Sequence, residues 1–430
     1  MRRRGLGSLA WASLQDLFDQ RTGFGRLALV HVLMMAGDTM VTVSLAGSLF
    51  FSVSPSEAKS KVLLYLLITI APFAVVSPVL GPLIDRSAQG RRVLVALSAG
   101  ARTLLCWSMS QHLASLWLYP EAFLVLVSSK LYVVTRGALV PEMARSDQFR
   151  EHGGDLDSAG WPGTPGETSG FAGFNAQLTL LGTASGLLAG LAAAGLLKGL
   201  GAPSVLVVAS LVFVVAAVTS ARLPRPAALV RDPLTRMTQA ERDRQSLEPL
   251  GDAEVAWGLG AASVMRFTVG FATFLLAFGL RRAHASLGWF ALALALSAVG
   301  SLGGLALVTR LRRRLAATSL LGGALVLAAL GAGLASARAG LVAQSALAGW
   351  VGLAAAIAQP SFDAITQAHV PAGAQGRTFA RFAVRQQLAW VLGALIPVGV
   401  LWSFAVADRF LAIVTLGAAL AYVVGRHRSR

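Results

Sequence analysis

Asp38 sits in the middle of a long apolar run, LALVHVLMMAGDTMVTVSLAG over 27–47, and is the clear mid-run carboxylate of the first half of the chain. Three cations in the same half are enclosed similarly: Arg102, Lys130 and Arg136. The last two are six residues apart, about 9 Å along a helix. Arg266 and Arg385 are their counterparts in the second half. A carboxyl group in a low-dielectric cavity holds its proton more tightly, and a neighbouring cation opposes that. A group poised between the two effects binds a proton in one state and releases it in another. Three roles are therefore open for Asp38: proton coupling, a permanent ion pair with Arg102, Lys130 or Arg136, or direct contact with a cationic ligand.

Cations outnumber carboxylates in these runs, and a positively lined pocket attracts and orients anions. A carboxylate or phosphate would suit Lys130, Arg136, Arg266 and Arg385, with Gln386 beside the last. The alternative for each is a partner at a helix carboxyl end or a lipid headgroup. Arg381 is nearer the edge of its run and can snorkel. Asp363 reads as a gate or helix-end group. His31 precedes Asp38 by seven residues, two helical turns on a similar face, which admits a proton relay. Uncharged polar residues in the runs, among them Thr39, Thr42, Ser44, Asn175, Gln344 and Gln359, are candidates for a cavity or for bonds between helices.

Positioning these side chains requires elements that survive in hydrocarbon. Of 430 residues, 55% are hydrophobic and 13% charged, against roughly 25% charged in a soluble domain. That excludes a soluble enzyme, and one cysteine, Cys106, excludes a disulfide scaffold. A membrane-crossing helix needs about 20 residues. Apolar stretches of that size fall near 27–53, 61–83, 93–113, 120–141, 171–197, 202–220, 257–280, 287–308, 315–336, 340–365, 378–402 and 406–424. Twelve spans are expected, the last two separated by a polar turn around Asp408 and Arg409. Short alternating segments, the mark of a membrane β-barrel, do not recur. Trp107, Trp117, Trp257, Trp289 and Trp402 read as packing or interface anchors.

The 37 basic residues and 20 acidic ones leave a net charge of +17. With the amino terminus in the cytoplasm, 24 of the basic residues fall in inner segments and seven in outer ones. The inner set runs from Arg2, Arg3 and Arg4 through Arg91, Arg145, Arg310 and Arg377 to Arg426 and Arg430. This asymmetry places both termini inside. It also accounts for the charge through an anionic inner leaflet rather than nucleic acid. The first 26 residues read as a cytoplasmic segment with a short interfacial helix carrying Leu14, Leu17 and Phe18, not a cleaved signal.

Two six-helix halves are expected, 27–220 and 257–424, with a basic tail over 425–430. The linker 221–256 holds four prolines, Pro224, Pro226, Pro233 and Pro249, with six basic and six acidic residues. The polar stretch 142–170 reads as a disordered inner insertion or a lid. Pro141 is expected to close span four as Pro371 follows span ten. A six-plus-six arrangement suits a transporter built from repeats around a central path.

The most specific local signal is GPLIDRSAQGRR, 81–92. Gly81 permits close approach, Asp85 can accept charge-assisted bonds or cap a helix, Gly90 suits a tight turn, and Arg91 and Arg92 suit the headgroups. Gly81, Asp85, Arg86, Gly90, Arg91 and Arg92 resemble the loop of the major facilitator superfamily written G-x-x-x-D-R-x-G-R-R, with extra residues between Arg86 and Gly90. RGALVPEM, 136–143, looks like the end of span four in its efflux-type branches, and VPAGAQGRTFARF, 370–382, is similar to their loop between spans ten and eleven. The resemblance implies an all-α fold of twelve helices in two pseudo-repeat halves. It implies an inner gate at Asp85 and Arg91. Span five, GTASGLLAG, lacks the proline of the drug–proton antiporters but keeps Gly-xxx-Gly spacing.

No phosphate loop, metal cluster or catalytic triad is apparent, so no cofactor and no enzymatic reaction are expected. The expectation is a monomeric, proton-coupled exporter of a small organic molecule in a bacterial cytoplasmic membrane, the Ala, Gly and Arg content pointing to a GC-rich source. The alternatives are a transporter or flippase for an anionic metabolite, siderophore or lipid-like substrate, and a sensor or scaffold that moves nothing.

Overall fold

The computed structural model describes residues 21–45, 88–113, 115–151, 167–223, 252–312, 314–370, 374–400 and 402–428. Regular structure there is helical throughout. The helices are α1 (Gly23–Leu45), α2 (Ala88–Gln111), α3 (Leu118–Glu151), α4 (Glu167–Ser220) and α5 (Ala253–Arg282), followed by α6 (Leu287–Leu311), α7 (Ala317–Arg338), α8 (Leu341–His369), α9 (Gln375–Gly399) and α10 (Phe404–Arg428). All ten are long and apolar enough to cross a membrane. Helices satisfy their own backbone polar groups, which lipid cannot do. Their outward faces carry large apolar side chains such as Leu191, 74% exposed, and Ile413, 71%. In a protein of this composition those faces meet acyl chains. The chain is a multi-pass membrane protein.

At 54 residues α4 would run about 80 Å if straight, well beyond one bilayer. It is broken at Gly201, whose φ of 82° and ψ of 174° are non-helical. A side chain is strained at that φ, so glycine suits the bend. The two arms match the runs expected at 171–197 and 202–220. The run 61–83 lies outside the described residues, as do Gly81, Asp85, Arg86 and the amino-terminal helix expected before residue 21.

Two compact units divide the chain. One comprises Met1–Trp161, Leu178–Asp243 and Ala372–Ala380, the other Pro162–Gln177, Arg244–Pro371 and Arg381–Arg430. In the first, α3 packs on α1 and α2. Phe213 of α4 lies over Gly37 of α1, where a Cβ would come within 2.5 Å of the ring. In the second, α8 packs on α5, α6 and α7, and α10 on α5 and α7. Close approach between these helices is built from small residues, as is common where lipid supplies no hydrophobic drive. Gly300 of α6 meets the backbone of Gly349 in α8, and Gly270 of α5 meets the backbone of Trp390 in α9. Phe271, Leu275, Leu347, Val351 and Leu411 form the apolar centre. Trp402 packs beside it, 5.1 Å from the Phe410 ring.

Several expectations change. Pro141 does not close a span: it lies inside α3, which continues to Glu151. Proline there needs only one backbone bond re-satisfied by neighbours, which membrane bundles supply. The start of the 142–170 stretch is therefore helical, and it has a task. Asp147 accepts the Gly23 and Phe24 amides at 2.6 and 3.0 Å, capping α1 with a carboxylate where the helix dipole favours one. Gly90, Arg91 and Arg92 form no turn, since α2 already begins at Ala88. Asp408 is not in a turn either. It lies within α10, with no exposed area.

Candidate functional site

The first unit holds a ladder of charged and polar side chains across α1, α2 and α3. Arg102 of α2 is fully buried. Its Nη1 donates to Asp38 Oδ1 of α1 at 2.8 Å, and its Nη2 to Ser98 Oγ at 3.1 Å and to the Ser128 carbonyl at 2.9 Å. The guanidinium lies 5.7 Å from the Tyr132 ring and 5.2 Å from the Phe213 ring, within cation–π range. Ser129 donates to the other oxygen, Asp38 Oδ2, at 2.7 Å. Asp38 keeps 20% of its side chain accessible while Arg102 keeps none. The pair thus has one sealed end and one open end. Two turns earlier on α1, His31 touches Tyr132 Oη through Nδ1 at 3.0 Å and Arg136 Nη1 through Nε2 at 3.2 Å.

Of the pairings open to Asp38, the one formed is with Arg102. Arg136 stands by His31 instead, and Lys130 is half-buried on the same helix. Arg266, Arg385 and Gln386 belong to the second unit. Arg266 and Arg385 are exposed and Gln386 is buried. Asp363 of α8 acts on the Arg266 charge and accepts Gln359 Nε2 at 2.8 Å.

The family-like segments also find partners. Arg91 is buried, 3.4 Å from the Ala138 carbonyl and 3.7 Å from Glu142 Oε2. It faces α3 rather than headgroups. Arg377, expected in an inner loop, is likewise buried. Phe379 of the 370–382 segment packs on Gly137 of the 136–143 segment, where a Cβ would lie 3.3 Å from the ring. Gly90 and Arg92 are half-buried in the first turn of α2.

Sequence reasoning missed two clusters in the second unit. Glu254 at the start of α5 lies 3.1 Å from His369 Nε2 at the end of α8 and 3.4 Å from Arg426 Nε near the end of α10. Asp408 accepts Gln344 Nε2 of α8 at 2.5 Å, and its Oδ1 has no hydrogen-bond partner among the described residues. The partners are far apart in the chain, so spacing gives no signal. Asp408 was further obscured by the adjacent Arg409 and the polar look of the pair. Replacing Gln344 by leucine should strip the buried carboxyl group of that partner and cost about 1–3 kcal/mol. Denaturant unfolding of the purified protein in micelles checks this, and an unchanged midpoint would show that Gln344 does not support Asp408.

Ser44 donates to the Ala202 carbonyl at 3.1 Å, and Asn175 to Gln367 Oε1 at 2.7 Å. Such bonds between membrane helices contribute about 0.6 kcal/mol each. Among the described residues no group of three His, Cys, Asp or Glu could hold a metal ion.

Comparison with known proteins places the fold. Across 94–95% of its length the chain superposes on three solved transporters. They are FucP, described as a major facilitator superfamily transporter (TM-score 0.68, 14% identity, 98% of that chain), a bacterial homologue of the iron transporter ferroportin (0.66, 18%, 98%) and the human organic anion transporter MFSD10 (0.61, 16%, 99%). The chain has the fold of the major facilitator superfamily. No family model matches the sequence. It is 31% identical over 414 residues to the uncharacterized protein ML2143 of Mycobacterium leprae, covering 88% of this chain and 67% of that protein. It is also 31% identical over 344 residues to Rv0876c of Mycobacterium tuberculosis, covering 71% of this chain. The chain spans 57% of the length of that second relative.

Proposed function

We propose that this protein is a major facilitator superfamily member, a proton-coupled secondary transporter that exports a small organic molecule by alternating access, with Asp38 as the coupling carboxylate. The observation that carries the reading is the half-open ion pair. Protonating Asp38 removes the counter-charge of Arg102 and weakens the bond from Ser129. The protonation of one accessible carboxyl group is thereby linked to how α1 is held against α2 and α3. An ionisable residue placed mid-membrane is costly unless it works or is paired, and here it is both paired and reachable.

Twelve spans in two six-helix halves follow if the arms of α4 cross separately and 61–83 supplies the remaining crossing. The arginine distribution supports cytoplasmic termini in a bacterial inner membrane, and the efflux-type resemblance of 136–143 and 370–382 supports export.

The test is proton movement in proteoliposomes under an imposed pH gradient, with a mixed panel of lipophilic cations and organic anions. Substrate-dependent flux is expected in the native protein, and Asp38→Asn should reduce it to the level of protein-free vesicles. Undiminished flux in a correctly folded Asp38→Asn protein would sink the coupling role. A native protein that moves no solute at all would instead be a sensor or scaffold.

A second reading, transport of an anionic metabolite, siderophore or lipid-like molecule, is favoured by the exposed cations Arg266 and Arg385 beside buried Gln386. MFSD10 is described as an organic anion transporter. Neutralising both arginines should then abolish uptake of anionic panel members while sparing cationic ones.

A further inference from the structure

The ion pair of Asp38 and Arg102 leaves His31 unused. Its ring is 2% exposed, stacked near Tyr132 at a centroid distance of 5.9 Å. A guanidinium has donors and no acceptor. The 3.2 Å contact between Arg136 Nη1 and His31 Nε2 therefore requires Nε2 to accept and to carry no proton. The imidazole proton is then on Nδ1, donated to Tyr132 Oη at 3.0 Å. The chemistry of the partners decides the tautomer.

A second proton can enter this ring only at Nε2, which faces Arg136. Once there it removes the acceptor and sets two cations against each other. The ring cannot retreat toward α4, because even a Cβ at Gly182 would lie 2.6 Å from Nε2. Among the described residues, the other charged and titratable groups near it are Tyr132 of α3, Arg102 of α2, which lies over the Tyr132 ring, and Asp38 of α1. On α4, the Ser185 hydroxyl donates to the Val32 carbonyl at 2.8 Å. Asp38 already holds Arg102 and Ser129. Arg136, half-buried and so partly open, is the group that must move.

We infer that His31 and Arg136 form a proton-operated anion site. Protonation of His31 Nε2 displaces the Arg136 guanidinium, which then takes a small organic carboxylate through two parallel N–H···O bonds. The charge balances: the site holds one positive charge before, and an imidazolium, a guanidinium and a carboxylate after. A proton and a monovalent anion therefore occupy the site together. The inference rests on the transporter reading above and gives it a substrate class.

Calorimetry of the full chain in nanodiscs, with benzoate as probe at about pH 5.5 and about pH 7.5, tests it across the usual histidine range. Affinity for benzoate should weaken with rising pH by up to about tenfold per pH unit. Runs in two buffers of different ionisation enthalpy should show nearly one proton taken up per benzoate bound. His31→Gln should bind without the pH slope and without proton uptake, and Arg136→Gln should not bind at either pH. The inference is overturned by a slope retained in His31→Gln, by binding retained in Arg136→Gln, or by no benzoate binding at the lower pH. Absence of proton uptake in the native protein overturns it even if a variant fails to fold. Inorganic phosphate binding more tightly than benzoate would overturn the carboxylate assignment. The assay needs no net transport. Benzoate binding of this kind by a protein that moves nothing would sink the transporter reading alone.

Discussion

Asp38→Leu should destabilise the protein more than Arg102→Met, and the double variant should recover much of the loss. The two ends of the pair differ in burial: Arg102 has no exposed side-chain area and Asp38 has 20%. Removing the carboxylate strands a cation that cannot shed its proton. Among the described residues it retains only Ser98, the Ser128 carbonyl and two ring faces. Breaking a buried pair from one side costs about 3–5 kcal/mol, because the remaining charge is uncompensated. The rings and the two oxygens place Asp38→Leu toward the lower end. Arg102→Met leaves Asp38 its bond from Ser129 and its accessible face, for a cost of about 1–3 kcal/mol. Asp38→Leu with Arg102→Met removes both charges and keeps an apolar volume. Unfolding in mixed micelles, run as a double-mutant cycle, gives the order directly. An Asp38→Leu protein as stable as Arg102→Met would mean that the sealed guanidinium is not what makes the pair costly to break.

The second large effect is expected at the crossing of α6 and α8. A Cβ at Gly300 would fall on the Gly349 carbonyl, and one at Gly304 on the Leu353 carbonyl. A carbonyl in a helix cannot swing aside as a side-chain tip can, so the helices must separate along their contact. Gly300→Ala should therefore cost about 2–3 kcal/mol, in the range of overpacked cores. Gly323→Ala in α7 is the control, with nothing within 4 Å of its added Cβ. That change should be neutral or stabilise by about 0.4–1 kcal/mol through the unfolded chain. Thermal unfolding of the two variants separates site from residue type. Equal midpoints would show that α6 and α8 do not meet backbone to backbone.

Some of this was readable without coordinates. The long apolar runs had to be helices, because hydrocarbon leaves a backbone no other way to satisfy its polar groups. The positions of α5, α7 and α10 follow that rule closely. Pro141 misled because proline is a helix breaker in water, whereas α3 carries it in its interior. Arg91, Arg377 and Arg426 misled for a related reason. Positive residues near span ends suit headgroups on average, yet Arg91 and Arg377 are buried and Arg426 meets Glu254.

Asp38 and the enclosed cations stood out in the sequence because a charge in an apolar run is conspicuous wherever its helix points. Their partners did not. Arg102, Lys130 and Arg136 were equal candidates for Asp38, and only the rotation of α2 against α1 selects the residue 64 positions away. Asp408 escaped notice for the converse reason: beside Arg409 it reads as a polar turn, and its partner Gln344 lies on another helix. Hydropathy sums over a window and so determines that a segment crosses and how long it is. Which face turns inward, and whom it meets, depends on contacts between segments distant in the chain, and those exist only once the helices have packed.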